Sequence, residues 1–274
     1  MYIAGIVLFN PDLERLRENI EAIAGQVSSV ICVDNGSDNI EKIMELLSKY
    51  NNVSLEQNSK NLGIACALNQ ILKYAQIRGS KWVLTLDQDS VADKNLISVY
   101  DKYIELPNIG MFTPIIKDRN NPQLVKLDKE YVEIPECITS GCLTNVEAMY
   151  EIGGFDEKMF IDFVDFDACH SLTERGYRII RINYCGLLHE VGKTKSAKFL
   201  GMNVEIYNHS AFRKYYIIRN GLYFIYKHKS SLNPVKEYFR LMKYFLLVII
   251  YESNKKEKIK SMCKGFCDGI KMTR

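Results

Sequence analysis

Apolar residues run almost unbroken through IAGIVLF (3 to 9), stop at Asn10-Pro11-Asp12, and then reappear at Leu13, Leu16, Ile20 and Ile23. A short continuous apolar run bounded by turn residues reads as a buried strand, and spacing by three and four reads as an amphipathic helix. The exchange repeats along the chain. SSVICVDNGS is a strand and its loop, IEKIMELLSKY a helix, VSLEQN a short strand, IACALNQILKYAQIRG a helix starting after Gly63, and KWVLTLD a further strand. Strand and helix alternating in this way over the first 90 residues predict a mainly parallel, Rossmann-like α/β sheet flanked by helices. Ligands of such sheets collect at the carboxyl ends of the strands. Asn10, Asp34, Asn35, Asp38 and Asp87 all fall there.

With 274 residues, 47% of them hydrophobic and 25% charged, the chain is long enough for one full core with an appendage. The start, MYIAGIVLFN, has the pattern of a first strand and not of a signal peptide, which argues against secretion and for reduced thiols. The eight cysteines show no paired spacing of a zinc site. Charge divides the chain more sharply than its net +3 suggests. Residues 213 to 274 hold 15 Lys+Arg against 4 Asp+Glu, while residues 1 to 212 hold 21 against 29. No nucleic-acid motif accompanies the basic part, and no nucleic-acid partner is expected. Its apolar run KYFLLVIIY (243 to 251) is about half of the ~20 residues that span a bilayer. An interfacial helix or a buried one is expected there.

The strand WVLTLDQDS ends in Asp87 and Asp89, a carboxylate pair that is costly beside a buried strand unless a cation meets it. A solvated turn is the simpler account of that stretch taken alone. Before it lie VLFN, VDNGSDN and NLGIACALNQ, and after it SGCLTNVEAMYEIGGFDEKMFIDFVDFD. Together, in this order and spacing, the motifs resemble the family 2 inverting glycosyltransferases of GT-A fold. DQDS and FIDFVDFD are similar to their bacterial rhamnosyltransferase branch. The resemblance covers roughly residues 1 to 230, and it divides the chain into a GT-A domain over 1–220 and a basic, amphipathic helical region over 221–274.

The resemblance implies a role for each motif. Asp89 would contact Mn²⁺ or Mg²⁺ directly, with His189 completing the metal site and Asp87 meeting the ribose or a metal-bound water. Such a cation stabilises the charge that builds on a nucleoside diphosphate as it leaves. Asp34, backbone around Leu8 and Phe9, and Asn61 with Gly63 would border the nucleotide base. For Asp34 the other reading is a turn-forming Asp-Asn-Gly, and for Gly63 a hinge that lets the loop enter its helix. Ser140 and Gly141 would border the sugar. Inverting transfer needs one carboxylate to take the acceptor hydroxyl's proton. Asp165 stands at that position, with Val164 where many relatives have glutamate. Asp162 is the second candidate or a ligand of a sugar hydroxyl, while Asp167, His170, His209 and His228 are read as structural. An acidic first helical turn, favourable against the helix dipole, is the plainer account of the aspartate cluster.

The expected activity is transfer of rhamnose from dTDP-rhamnose to a lipid-linked saccharide acceptor in bacterial cell-surface polysaccharide synthesis. Transfer of galactofuranose, glucose or galactose from a UDP-sugar is the alternative. Two other classes stay open: a nucleotidyltransferase, although IVLFNPDLERL lacks a Gly-rich phosphate loop, and a non-catalytic nucleotide-sugar-binding module. From Pro234, the helical spacing of Lys236, Arg240 and Lys243 beside Phe239, Met242, Phe245, Leu246 and Ile249 predicts an amphipathic helix. Such a helix would meet an anionic membrane surface on the inner face of the cell membrane, or pack on the core or in a homodimer.

Overall fold

The structure, a computed structural model, describes residues 1–120, 127–190, 195–199 and 201–273. The chain runs β1 (Tyr2–Leu8), α1 (Leu13–Ile23), β2 (Ser29–Asp34), α2 (Ile40–Leu47), β3 (Val53–Gln57), α3 (Ile64–Ile77), β4 (Trp82–Asp87), β5 (Val91–Ala92), α4 (Leu96–Asp101), β6 (Ile109–Asp118), β7 (Tyr131–Glu133), β8 (Cys142–Asn145), α5 (Val146–Glu151), α6 (Val164–Glu174), β9 (Arg178–His189), β10 (Lys195–Phe199), β11 (Met202–Ile206), α7 (Ala211–Lys227), α8 (Pro234–Tyr251) and α9 (Lys255–Met272). Asp12 caps α1 by accepting from the Glu14 and Arg15 amides, which is why the polar break after β1 becomes a helix start. The apolar positions Leu16, Ile20 and Ile23 then turn into the core.

Among the described residues the main sheet has the order β3-β2-β1-β4-β8-β6-β9-β5, with β7 on β9. The first four strands pair in parallel, and β6 is parallel to β9. Strands β8 and β5 enter antiparallel. The expected α/β sheet with helical cover is therefore present, its second half mixed. The centre is apolar on both faces: Ile3, Ala4, Ile6 and Leu8 of β1 and Val30, Cys32 and Val33 of β2 are all buried.

The chain forms two compact units. One holds residues 1–160 and 164–190, the other 161–163 and 191–274. Position 220, where the sequence suggested a boundary, lies inside the continuous helix α7. In the second unit α8 and α9 pack on α7. Gly265 and Gly269 of α9 allow this, since a Cβ on either would fall within 2.4 and 2.9 Å of the Tyr215 and Arg219 carbonyl oxygens. Asn233 caps α8 and Pro234 opens it, the arrangement its sequence predicts.

Candidate active site

The parallel register aligns the ends of the first strands: Leu8 lies opposite Asp34, and Val7 opposite Asp87. Past Asp87 the chain turns, Ser90 N–H donating to the Asp87 carbonyl at 3.1 Å, and returns as β5. Because β5 lies antiparallel on β9, with Val91 against Leu188, His189 arrives beside the turn from a hundred residues away. Its Nδ1 is 2.8 Å from Ser90 Oγ and 3.8 Å from an Asp89 oxygen, while its Nε2 is 3.9 Å from an Asp87 oxygen. Ser90 Oγ is in turn 2.8 Å from Ser140 Oγ, which accepts the Asp87 N–H at 3.0 Å. When His189 Nδ1 carries the proton and donates to Ser90, the Nε2 lone pair is left on the side of Asp87.

Asp165 opens α6, and one of its oxygens accepts from Thr139 Oγ1 at 3.2 Å. Thr139 and Ser140 are neighbours, so a single dipeptide holds Asp165 by one hydroxyl and the end of β4 by the other. The Thr139 carbonyl is fixed to β4 as well, accepting from Thr85 Oγ1 at 2.7 Å. Asp87, Ser90, His189 and Asp165 thus belong to one hydrogen-bonded frame, with an Asp89 oxygen 3.8 Å from its imidazole.

Several expected ligands have structural work. Asp34 is buried; its Oδ2 accepts from the Gly36 and Ser37 amides at 3.0 Å each, and its Oδ1 from the Ser37 hydroxyl. The turn-forming reading describes this geometry. Gly63 has φ +91°, and a Cβ there would meet the Phe160 carbonyl at 2.7 Å, so the loop needs glycine to enter α3. Asn61 Oδ1 accepts the Gly63 amide at 2.9 Å. Gly141, with φ +79°, makes its close approach to Leu187 at 3.0 Å, and its carbonyl accepts from the buried Tyr100 hydroxyl. Ser140 is buried in the frame just described. Leu8 is buried and its carbonyl accepts the Asn35 amide, leaving Phe9 as the exposed edge of that strand end.

Asp162 lies in the second unit. Its carboxylate is held by the Arg213 guanidinium, through Nε at 3.3 Å and through Nη2. Phe160, Asp162 and Phe163 all have positive φ, and Asn220 Nδ2 donates to the Ile161 and Asp162 carbonyls at 2.8 and 3.0 Å. A carboxylate clamped by arginine suits fixing a strained loop better than accepting a proton. His170 pairs with Glu136 at 3.0 Å, in keeping with a structural role.

Sequence reading assigns no role to Ser90 or Thr139 and takes Gln88 only as a departure from the commoner acidic run. Ser90 and Thr139 are buried hydroxyls within quoted motifs, and a hydroxyl at a strand end beside a metal-binding type of sequence was the available signal. Gln88 accepts from the Phe9 amide at 2.8 Å and donates to its carbonyl at 3.3 Å, tying the β4 turn to the end of β1. That pairing accounts for glutamine between the two aspartates, because an acid could not donate the second bond.

The family model for glycosyl transferase family 2 matches residues 4–155, which include every strand end described here up to Ser140. The chain belongs to this family. Among curated proteins, the transferase is 28% identical to a dTDP-rhamnosyl transferase, RfbF, of Shigella flexneri, over 98% of this chain and 95% of the relative. It is 23% identical to an N-acetylglucosaminyl-diphospho-decaprenol L-rhamnosyltransferase of Mycobacterium tuberculosis, over 65% of this chain and 72% of the relative. Among solved structures, S. aureus TarS 1-349 superposes with a TM-score of 0.62 at 15% identity, over 98% of this chain and 80% of that one. GalNAc-T7 with UDP, GalNAc and Mn²⁺ gives 0.67 at 14%, over 99% and 56%. These likenesses establish the GT-A fold, and with the family they make this protein a glycosyltransferase.

Among the described residues no three carboxylate, thiolate or imidazole groups already close into a coordination shell. The chemistry of the set still suits a divalent cation: two carboxylates and an imidazole whose Nδ1 is occupied by a hydroxyl. Mn²⁺ accepts such a mixture of oxygen and nitrogen.

Proposed function

We propose that this glycosyltransferase moves rhamnose, with inversion, from dTDP-rhamnose to a saccharide on a lipid carrier in cell-surface polysaccharide synthesis. The choice of donor rests on similarity to the Shigella protein over nearly the whole of both chains, and the lipid carrier on the decaprenol-linked substrate in the name of the mycobacterial relative. The chemistry rests on one observation: Thr139 and Ser140 tie Asp165 to the strand end that carries Asp87, Asp89 and, through Ser90, His189.

In this reading Asp165 takes the proton of the acceptor hydroxyl, whose oxygen forms the new bond at the anomeric carbon as the bond to the diphosphate breaks on the opposite face. Asp89 and His189 would hold Mn²⁺ or Mg²⁺, with Asp87 at the ribose or beside the cation. A bound cation supplies the charge that stabilises the departing diphosphate. Phe9, Asn61 and the Asp34 turn frame the base, and Gly63 and Gly141 shape the loops behind it. Asp162 keeps its loop in place through Arg213. An acceptor on a lipid carrier brings the enzyme to the cytoplasmic face of the cell membrane.

The test is product analysis with dTDP-rhamnose, UDP-sugars and a lipid-linked acceptor analogue. Release of dTDP, metal-dependent and acceptor-dependent, is expected. Turnover confined to a UDP-sugar refutes the donor assignment, release of pyrophosphate points to nucleotidyl transfer, and donor binding without turnover points to a binding module.

A further inference from the structure

Helix α8 presents two apolar faces. Leu241 and Val248 turn inward to the cluster with Ile218, Leu222 and Met262. On the other side Val235, Phe239, Met242, Leu246, Ile249 and Ile250 recur at helical spacing, and all are exposed: 63% at Val235, 61% at Phe239, 51% at Met242 and 39% at Leu246. At 100° per residue these six fall within a single arc that contains no charged side chain. The arc continues into a groove of about 410 Å³ lined by Ile218, Leu222, Met242, Phe245, Met262 and Phe266, the last also half exposed.

Positive charge borders this apolar surface. Lys236 is exposed on α8, and on α9 Lys256, Lys260 and Lys264 are exposed at intervals of four, on one face. Glu252 is buried and accepts from Lys214 and Lys258, and against the three exposed lysines α9 sets one exposed acid, Glu257. No described helix is long and apolar enough to cross a membrane. An uncharged apolar arc beside a lysine row is the pattern of a surface that rests in the headgroup region of an anionic leaflet. A face made for a second copy of this basic chain would set lysine rows against each other or leave them idle.

We infer that the exposed arc of α8 and the Lys256–Lys260–Lys264 row of α9 form a docking surface for an anionic lipid bilayer. This deepens the proposed meeting with a lipid-linked acceptor and rests on that reading for its purpose, while the binding itself is measurable without any sugar.

The experiment is flotation of the full-length protein with vesicles of phosphatidylcholine alone and of phosphatidylcholine with phosphatidylglycerol. Binding to the anionic vesicles, and its loss at high salt, is the expected result. Met242→Glu with Leu246→Glu should lower the partition coefficient at least about tenfold. Lys256, Lys260 and Lys264 each changed to Gln should lower it by roughly fivefold per residue. Circular dichroism checks that the helices persist, and the lysine variants cover the case in which the glutamate variant misfolds. Turnover on a water-soluble acceptor should be unchanged in all of them, so failed docking is separable from a failed donor assignment. Absent binding, equal binding to both vesicle types, or a dimer in solution that Met242→Glu dissociates without any vesicle binding would overturn the proposal.

Discussion

The sheet unit and the helical tail differ in what they leave at the surface and which charges they bury. In the sheet, Ile6, Leu8, Val33 and Leu84 fill the interior, and the carboxylates, hydroxyls and imidazole gather where the strands end. In the tail, Lys214, Glu252 and Lys258 are buried, at 0%, 3% and 5% side-chain exposure, beside the apolar cluster of Ile218, Leu222, Leu241, Val248 and Met262, and Phe239, Met242 and Leu246 are outside. Burial pulls the Lys214 ammonium below its ordinary range, against the raising effect of Glu252. A polar rim on an apolar core suits a small charged ligand that arrives from water. An apolar rim over an interior whose buried charges are paired suits an environment that is not water, because uncharged side chains then meet it and no charge is stripped of its partner.

The comparison can be sharpened first at Asp165. Asp165→Asn keeps the shape and the acceptor for Thr139 but loses the base, so transfer should fall ~10²–10⁴-fold with donor binding retained. Steady-state rates and donor titration check this, and retained turnover would move the base elsewhere in the frame. Next is the buried ion cluster of the tail. Glu252→Ala strands two buried ammonium groups and should lower the unfolding free energy by about 3–5 kcal/mol. Denaturation followed by circular dichroism reads it, and a change near the ~0–1 kcal/mol of exposed pairs would mean that water reaches these charges.

Asp89→Ala and His189→Ala should each reduce turnover about 100-fold and weaken Mn²⁺-dependent donor binding. Full metal-independent activity in either variant would remove it from the cation site. The smallest effect is expected at Ser90. Ser90→Ala frees His189 to rotate and change tautomer, and Mn²⁺ affinity, measured by electron paramagnetic resonance with nucleotide diphosphate present, should drop about tenfold. Unchanged affinity would make the hydroxyl a packing group.

Much of the first unit was legible because its signals are local. Asn10-Pro11-Asp12 ends a strand and caps a helix within one turn, and the apolar run of β4 stops at Asp87 as the alternation predicted. The roles of individual strand-end residues were less legible. Asp34 reads in sequence as a ligand or as a turn residue, and the Gly36 and Ser37 amides, which follow in sequence but need the folded turn to converge, give it the hydrogen bonds of the turn. Asp162 and Asp165, three residues apart, are ranked in sequence only by the family resemblance. Arg213 holds one and Thr139 the other, and neither partner is local.

By itself the sequence determined the order of strands and helices, the family, the acidic strand ends and the amphipathic character of the segment after Pro234, since each depends on periodicity and residue type within a few turns. Tertiary structure decided what pairs over distance. The antiparallel return of β5 onto β9 places His189 at the aspartates, because strand pairing sets position by register and not by separation along the chain. The packing of α8 on α7 and α9 decided which of its apolar residues are core and which are left outside. A helix with apolar side chains around most of its circumference can bury any one stripe, and the partners that select the stripe, Ile218, Leu222 and Met262, lie on other helices.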